Sequence, residues 1–550
     1  MSSTAHGLEA EETGWRPSAN PWIIAASVML ATFMVVLDSS VANVALPHIA
    51  GNLSASTDES TWVLTSYLVS NAIMLPATAW LARRLGRRRL FMISIVVFTG
   101  ASLLCGAAVN LPVLIVARVL QGLGGGGMQP LSQAILLESF PPKRHGVAMA
   151  AYSIGIIVAP VIGPTLGGWI TDSYSWRWIF YINLPVGVVA LFMIAKFIED
   201  PPYIRQGLRE RADYLGFGLM ALWLGSLQLI LDKGQEADWF SANWICWMAA
   251  VSVLSLVCFI VRERGVREPI VHLGILGNRN FSLGTLLTAL YGFVLYGVTA
   301  MLPLFLQTLM GYPAMDSGLA VSPRGVGCML AMFVVGPLVN YVDGRLLLAF
   351  GFSVVGSSVL MLSHVNLQIS MSSVALPNFI NGFGSGFVFV PLTTMAMSRL
   401  QKEEMGNAAG VFNLMRSIGG SVGIACVTTF LVRGSQVHQN YLAANATAGN
   451  PGVMKMIHGL ESKLFLGGAG AYTAHHKALG MLYGAVQRQA SLLAYVDNFR
   501  MLGLLSLLCI PLALCFHSVR KQSRRDAAAA NAAFRPPAAE SNLEVARPDR

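Results

Sequence analysis

Two ionisable residues, Asp38 and Arg118, lie deep inside apolar stretches of the chain. Asp38, in the stretch LDSSVANVALP, is the only acidic residue well inside any of these stretches. At ~1.5 Å of rise per helical residue it would lie about 12 Å from one membrane face, and Arg118 about 10 Å from the same face. An ionisable residue at such depth is costly and is therefore a functional candidate. The matched depths make an Asp38–Arg118 pair geometrically feasible.

The chemistry available to such a pair is proton exchange. A carboxylate partly removed from water takes up a proton more readily, whereas a neighbouring arginine opposes that uptake. If the contact changed between two conformations, protonation of Asp38 would be coupled to movement. A static buried ion pair is the alternative interpretation. Candidates for supporting hydrogen bonds are Asn43, Gln121 and Gln129.

The second half of the chain carries two further arginines in apolar segments, Arg324 and Arg416. Arg416, with Asn413 one helical turn before it, would lie about 15 Å from one face at ~1.5 Å per residue. No acidic residue lies deep in this half, so both arginines are expected to face water, backbone carbonyls or an anionic ligand. Packing against helix ends is an equally good interpretation for Arg324, which is shallower.

The elements that hold these residues follow from composition. The chain has 550 residues, of which 54% are hydrophobic and 12% are charged, whereas soluble domains carry about 25% charged residues. This excludes a soluble enzyme, a disordered scaffold and a secreted disulfide module, and it indicates an all-α polytopic membrane protein. A spanning helix needs about 20 apolar residues. Fourteen such segments are predicted, at roughly 22–46, 60–82, 90–109, 111–137, 145–170, 177–198, 213–231, 243–261, 282–306, 317–340, 345–364, 371–397, 407–431 and 500–518.

The positions of the basic residues give the orientation. A net charge of +10 first suggests a nucleic-acid partner. Eighteen Lys and Arg residues, however, fall in the alternate loops that would be cytoplasmic, and two fall in the short outer loops. Because basic residues stay on the cytoplasmic side, both termini are predicted to be cytoplasmic. The charge is a topology signal, and no nucleic-acid partner is expected.

An internal repeat divides the chain. A shift of 260 residues aligns glycines and neighbouring residues of two consecutive segments, which indicates duplication of a six-helix unit. Segments 7 and 8 then form an insert, giving a 6+2+6 arrangement. The aligned glycines are Gly122 with Gly382, Gly124 with Gly384, Gly126 with Gly386, Gly146 with Gly406, and Gly163 with Gly423. The predicted parts are a cytoplasmic tail 1–21, an N-terminal bundle 22–198, an insert 199–262, a C-terminal bundle 263–518, and a disordered cytoplasmic tail 519–550.

Segment 5 has an unusual density of small residues and prolines. Gly155, Ala159, Gly163 and Gly167 recur every four residues and form one smooth helical stripe, next to which lies Gly168. Pro160 and Pro164 remove backbone donors and favour bending. The stripe is predicted to be either a static packing face or a surface on which two bundles rock, and the density of the pattern favours rocking.

Two regions outside the spans carry further candidates. The turn between segments 2 and 3 contains Gly86, Arg87 and Arg88, which would form a cytoplasmic gate by binding helix ends and nearby acids; ordinary positive-inside anchoring is the alternative. The outer loop 432–499, with a predicted helix over 474–498, is expected either to dock a partner or to cover the pore.

These motifs together resemble the major facilitator superfamily, specifically its fourteen-helix drug:proton antiporters of the EmrB/QacA type, and the EmrB branch more closely. The resemblance covers nearly all of residues 22–518. It rests on LDSSVANVALP, the basic segment 2–3 turn, RVLQG at Arg118, GPTLGGW at Gly163, SWRWIFYINLPVG at Ser175, and the stretches LDKGQEADWF and QASLLAYVDNF.

The resemblance implies a function. It predicts a non-enzymatic, proton-driven exporter of amphipathic or hydrophobic drugs without a cofactor, in a bacterial inner membrane, with a periplasmic membrane-fusion adaptor and an outer-membrane channel as partners. Asp38 would be the coupling carboxylate, and Arg118 the basic residue of the fourth-helix motif. The chain departs from the family pattern at Ala79, where Gly is usual, and at Arg83, near which Asp is usual. A dedicated exporter of one metabolite, such as a siderophore or lipid-like product, and a non-transporting sensor stay open.

Overall fold

The computed structural model describes residues 17–141, 144–200, 213–266, 269–339, 341–398, 400–401, 404–447, 449–468 and 470–516. Within these ranges the chain is helical and contains no strand. The predicted disordered tail lies outside the described residues. The eighteen α-helices are α1 Pro21–Asn52, α2 Thr57–Leu85, α3 Arg87–Gly106, α4 Leu111–Gly125, α5 Met128–Ser139, α6 His145–Ser173, α7 Trp178–Tyr181, α8 Asn183–Phe197, α9 Tyr214–Lys233, α10 Asn243–Gly265, α11 Arg279–Leu304, α12 Ala314–Val321, α13 Pro323–Leu338, α14 Gly344–Leu362, α15 Met371–Met397, α16 Met405–Asn445, α17 Pro451–Leu466 and α18 Ala471–Leu514.

Local sequence explains where many of these helices begin. A polar side chain accepts a hydrogen bond from the first-turn backbone, which supplies a partner that the helix itself cannot provide. Ser56 forms a reciprocal capping box with Glu59 at the start of α2. Other side-chain caps are Asn20, Asn110, Asp213, Asn278, Asp343 and Asn450.

Each of the fourteen predicted segments corresponds to one helix or a pair of consecutive helices. Thirteen spans in the described residues are long and apolar enough to cross a membrane, by length and composition alone. The fourteenth, α2, is 29 residues long and less hydrophobic. The all-α, multi-pass membrane fold is thus confirmed, while the 6+2+6 arrangement and the domain limits remain predictions.

Several segments are broken where the sequence predicts one continuous helix. Segment 4 is interrupted at Gly126–Gly127, between α4 and α5. Segment 10 is interrupted at Ser322, and α13 begins at Pro323, whose missing N–H is harmless in a first turn.

The described residues of region 432–499 are mostly helical, so this predicted outer loop contains more helix than the sequence indicates. Helix α16 continues without interruption to Asn445 and has 41 residues. Helix α18 has 44 residues, so the helix predicted over 474–498 is present and runs directly into the last span. At ~1.5 Å per residue both helices are about 60 Å long, roughly twice the hydrocarbon core. With α17 they form a helical hairpin that projects from the bundle.

The aligned glycines make corresponding contacts in the two halves of the chain. A methyl group added at Gly122 of α4 would overlap Tyr67 of α2, and one at Gly382 of α15 would overlap Arg324 of α13. Gly124 likewise lies against α3, as Gly384 lies against α14. The repeat in sequence therefore reflects a repeat in helix packing.

Helix α9 contacts α2 from the first half and α16 from the second. Asp232 accepts a hydrogen bond from Thr65, and Lys233 donates one to Thr61, both on α2. On the other side Ser421 of α16 donates to Gln228, at 2.9 Å between the oxygens. The predicted insert thus lies against a helix of each bundle.

Candidate functional site

Asp38 and Arg118 lie together in the interior of the first six segments. Asp38 is 2% exposed and Arg118 is fully buried. The Arg118 Nη1 atom donates to Asp38 Oδ2 at 2.7 Å. Helices α1 and α4 therefore position the two charges at one depth, as the sequence arithmetic predicts.

The second carboxylate oxygen of Asp38 is held by two amides. Gln121 Nε2 and Asn183 Nδ2 donate to Asp38 Oδ1 at 2.8 and 2.7 Å. Both amides also donate to the Ser102 hydroxyl, which donates in turn to the Phe180 carbonyl at 2.9 Å. Side chains of α4 and α8 thus hold the Asp38 carboxylate of α1, and Ser102 of α3 joins the two amides.

Arg118 is held on more than one side. Its Nη1 also donates to Gln121 Oε1 at 2.7 Å, and its Nε donates to the Val63 carbonyl at 3.0 Å. The guanidinium lies over the Tyr67 ring, 4.3 Å from the ring centre. Its Nη2 is buried and has no hydrogen-bond partner among the described residues. One nitrogen of the guanidinium is therefore without an acceptor in this conformation.

This geometry links the surroundings of Asp38 to helix packing. Asp38 accepts three hydrogen bonds, one on Oδ2 and two on Oδ1, from side chains of α4 and α8. A movement of α4 or α8 relative to α1 would therefore change the set of donors around this carboxylate.

Two of the predicted supporting residues lie elsewhere. Asn43 is exposed and donates to the Ser39 carbonyl one turn earlier, because its side chain projects from a different face of α1 than Asp38. Gln129 lies beyond the break at Gly126–Gly127, and it bonds to Arg416 instead. Of the three candidates, only Gln121 joins the Asp38 network.

A second polar cluster joins the two halves of the chain. Arg416 Nη2 donates to Gln129 Oε1 at 2.9 Å and to Asn413 Oδ1 at 2.7 Å. Asn413 Nδ2 donates to Gln133 Oε1 at 2.7 Å. The guanidinium also lies over the Phe389 ring, 5.6 Å from its centre. Gln129 and Gln133 lie on α5 and Asn413 and Arg416 on α16, so this cluster bridges the bundles.

Arg324 Nη1 donates to the Thr299 hydroxyl at 2.7 Å. Thr299 lies on α11, and the Arg324 backbone packs against Gly382 of α15. Among the described residues the Arg324 side chain thus bonds to a hydroxyl and not to a helix-end carbonyl.

The glycine stripe of segment 5 faces α1. A methyl group added at three of its positions would overlap α1 side chains, in the pairs Gly155 with Met29, Gly163 with Ser40, and Gly167 with Val41. The contact of α6 with the other half uses a different face, where Gly146 meets Gly336 of α13. The stripe is a packing face in this conformation, and a rocking role remains a prediction.

Gly168 and Pro160 of segment 5 lie outside this close contact with α1. Gly168 has no atom within 4 Å of an added methyl group, and Pro160 is exposed. The backbone is helical through Pro160 and Pro164, so neither proline breaks α6, and the Pro164 side chain lies outside the description.

The turn between α2 and α3 is built around acids that the sequence analysis did not assign to it. Gly86 has a φ of +83°, a conformation that favours glycine. Arg87 forms a buried ion pair with Glu138 of α5. The Arg88 backbone N–H donates to Asp200 Oδ1 at 2.9 Å, and its side chain donates to the Ala195 carbonyl. Glu138 and Asp200 thus supply the negative charge absent at Arg83, and the gate function remains a prediction.

Sequence reasoning missed Asn183, Gln133 and Glu138. Asn183 lies inside the SWRWIFYINLPVG motif, but nothing in that motif indicates that its side chain contacts Asp38. Gln133 follows Gln129 by four residues and therefore shares its helix face. Glu138 lies one residue beyond the predicted segment 111–137, so the search for acidic residues inside the segments does not include it. No group of three or more potential metal ligands occurs among the described residues.

Comparisons with known proteins agree with this architecture. Residues 28–424 match the family model described as Major Facilitator Superfamily. The chain is 39% identical over 431 residues to "Multidrug export protein EmrB" of Haemophilus influenzae, covering 78% of this chain and 84% of that protein. It is 38% identical over 431 residues to "Fatty acid resistance protein FarB" of Neisseria gonorrhoeae, with the same shares of 78% and 84%.

The fold has a counterpart among solved structures. The human organic anion transporter MFSD10 (TETRAN) superposes with a TM-score of 0.55 at 12% identity, over 89% of this chain and 100% of that one. At 12% identity this similarity supports the fold alone. Together with the family match over residues 28–424 and the relatives near 39% identity, it leads to one conclusion: the chain belongs to the Major Facilitator Superfamily.

Proposed function

We propose that the protein is a proton-coupled secondary exporter of amphipathic or hydrophobic compounds, working by alternating access. The relatives named for multidrug export support this function. The observation that carries the coupling mechanism is the buried Asp38 carboxylate, which is held by donors from separate helices. A change in the packing of those helices alters the number of donors around the carboxylate, and protonation alters the packing in return.

The proposed cycle uses only residues of this chain. A proton arriving at Asp38 displaces a donor, with Arg118 passing to its remaining partners, the Val63 carbonyl and Gln121. Loss of the ion pair frees α4 to move relative to α1. Substrate binds between the two halves, near the cluster that joins α5 to α16. The energy source is the proton gradient, and no cofactor takes part.

We propose a bacterial inner membrane as the location, with cytoplasmic termini, because the loops between segments carry the predicted basic excess on one side.

The hairpin of α16, α17 and α18 would then project into the periplasm. Between α17 and α18 it has a groove of about 470 Å³. Phe465 and Leu466 line it and are 61% and 87% exposed, and the neighbouring Tyr472 is 79% exposed. Apolar side chains exposed outside the bilayer suit a protein partner, and the proposed partners are a membrane-fusion adaptor and, through it, an outer-membrane channel.

The hairpin also holds a charged cluster. His475 and His458 pair with Glu461, and their hydrogen bonds hold the pKa of Glu461 below its usual value. The cluster links α17 to α18 and gives the proposed docking surface a fixed shape.

The test is transport by the purified protein in proteoliposomes. With an imposed pH gradient, several chemically unrelated amphipathic compounds should move against their gradients, and a protonophore should stop them. Movement of a single compound class would favour a dedicated metabolite exporter. Absence of flux for every compound in the panel would contradict the proposal and favour a sensor.

A further inference from the structure

The C-terminal half holds two partly buried arginines in membrane-spanning helices that have no carboxylate partner among the described residues. Arg416 bonds only to neutral amide oxygens, and Arg324 bonds only to a hydroxyl. Within the described part of the chain neither guanidinium pairs with a carboxylate. Arg118, in the other half, has its full counter-charge in Asp38. The interior charge balance of the two halves is therefore unequal.

A partly buried cation in a membrane-spanning helix is unfavourable unless something supplies negative charge. Amide oxygens compensate only part of a full positive charge. Both hydrogen bonds of the Arg416 guanidinium leave from Nη2, and among the described residues Nη1 and Nε have no acceptor. Nη1–H and Nε–H lie on different edges of the guanidinium, so each can donate a single charge-assisted hydrogen bond to an anion.

The surroundings of Arg416 add donors and an apolar wall. The Nε2 of Gln133, a residue 0% exposed, has no hydrogen-bond partner among the described residues. Phe389 lies under the guanidinium, 5.6 Å from the ring centre. Donors, a cation and an aromatic ring from α5, α15 and α16 therefore lie together between the halves.

We propose that Arg416, assisted by Gln133, binds the anionic head group of the substrate, and that the preferred substrates are amphipathic organic monoanions such as carboxylates. The anion accepts a hydrogen bond from Nη1 or Nε of Arg416, and the apolar body lies against Phe389. The inference rests on the proposed exporter function and specifies its substrate class.

A binding experiment tests this independently of transport. The purified full-length protein in phosphatidylcholine nanodiscs is titrated with three radiolabelled probes of one shape: 2-naphthoate, neutral 2-naphthamide, and the (2-naphthylmethyl)trimethylammonium cation. Wild type should bind naphthoate at least about 10-fold more tightly than the amide or the cation. A preference for the cation, or equal affinity for all three, would overturn the proposal without any variant being made.

Variants then locate the site. Arg416→Gln should weaken naphthoate binding about 10- to 100-fold, the range expected when a charge-assisted hydrogen bond is lost, while leaving naphthamide binding within about twofold. Arg416→Lys should recover part of the naphthoate affinity because it restores the charge. Arg433→Gln, on the exposed extension of the same helix, is the matched control and should bind like wild type. Unchanged naphthoate affinity in Arg416→Gln would also overturn the proposal.

The two failures are distinguishable. If naphthoate binds in an Arg416-dependent way but no compound is transported in proteoliposomes, the substrate site stands and the exporter function falls. If cations are exported and naphthoate binding ignores Arg416, the exporter function stands and the anion site falls.

Discussion

At the scale of single residues, Asp38 of α1 accepts three hydrogen bonds from side chains of α4 and α8. Depth arithmetic along the sequence predicted that Asp38 and Arg118 could meet, because helical rise is constant. It could not predict Asn183, because the rotation of α8 and its distance from α1 depend on tertiary packing. Depth along the sequence also could not exclude Asn43, which has a suitable depth but projects from a different face of α1 than Asp38.

Arg118→Ala should destabilise the protein strongly. The change leaves the Asp38 charge buried without its cation, which costs about 3–5 kcal/mol in comparable buried pairs. The melting temperature of the purified protein in detergent should fall accordingly, whereas Arg433→Ala should melt like wild type.

The double variant gives the control for that prediction. Asp38→Asn in the Arg118→Ala background removes both charges, so much of the lost stability should return. A double variant that melts no higher than Arg118→Ala would show that Arg118 stabilises the fold through its contacts with Val63 and Tyr67 instead of through Asp38.

At the scale of elements, the repeated glycines explain how the helices of each half approach one another. The 260-residue shift predicted equivalence, and the contacts of Gly122 and Gly382 express it in the packing. Helix existence was predictable from apolar length. The breaks in segments 4 and 10 and the unbroken extension of α16 and α18 were not, because hydropathy reports where a helix is apolar and does not report where it ends.

Gly122→Ala and Gly382→Ala should each destabilise the protein by about 1–3 kcal/mol, since the added methyl group enters a filled helix–helix contact. Gly168→Ala is the matched control in an open position, where alanine favours the helix by about 0.5–1 kcal/mol. Thermal melting of the three variants in one detergent measures the difference. A Gly168→Ala protein less stable than Gly122→Ala would contradict the packing argument.

At the scale of the whole molecule, α9 lies against a helix of each half, α2 and α16. Apolar segment counting placed two extra helices in the middle of the chain. Their position against the bundles depends on polar pairs, such as Gln228 with Ser421, that no periodicity marks. Alternating access requires the two halves to change their relative position, so α9 has to release one of them.

Cross-linking tests which contact opens. In a background without the seven native cysteines, a thiol linker between Gln228→Cys and Ser421→Cys should stop transport because it ties α9 to the second half. The matched pair Thr65→Cys and Asp232→Cys ties α9 to the first half and should leave most transport intact. Full transport by the Gln228–Ser421 cross-linked protein would mean that this contact does not open during the cycle.

The central claim is that Asp38 carries the coupled proton, and substrate-driven proton flux in proteoliposomes measures it most directly. The Asp38→Asn side chain keeps the size of the carboxylate but cannot exchange a proton. We expect this variant to lose substrate-driven proton flux to the level of empty liposomes, while it still exchanges labelled for unlabelled substrate across the membrane. Wild-type proton flux in Asp38→Asn would contradict the account.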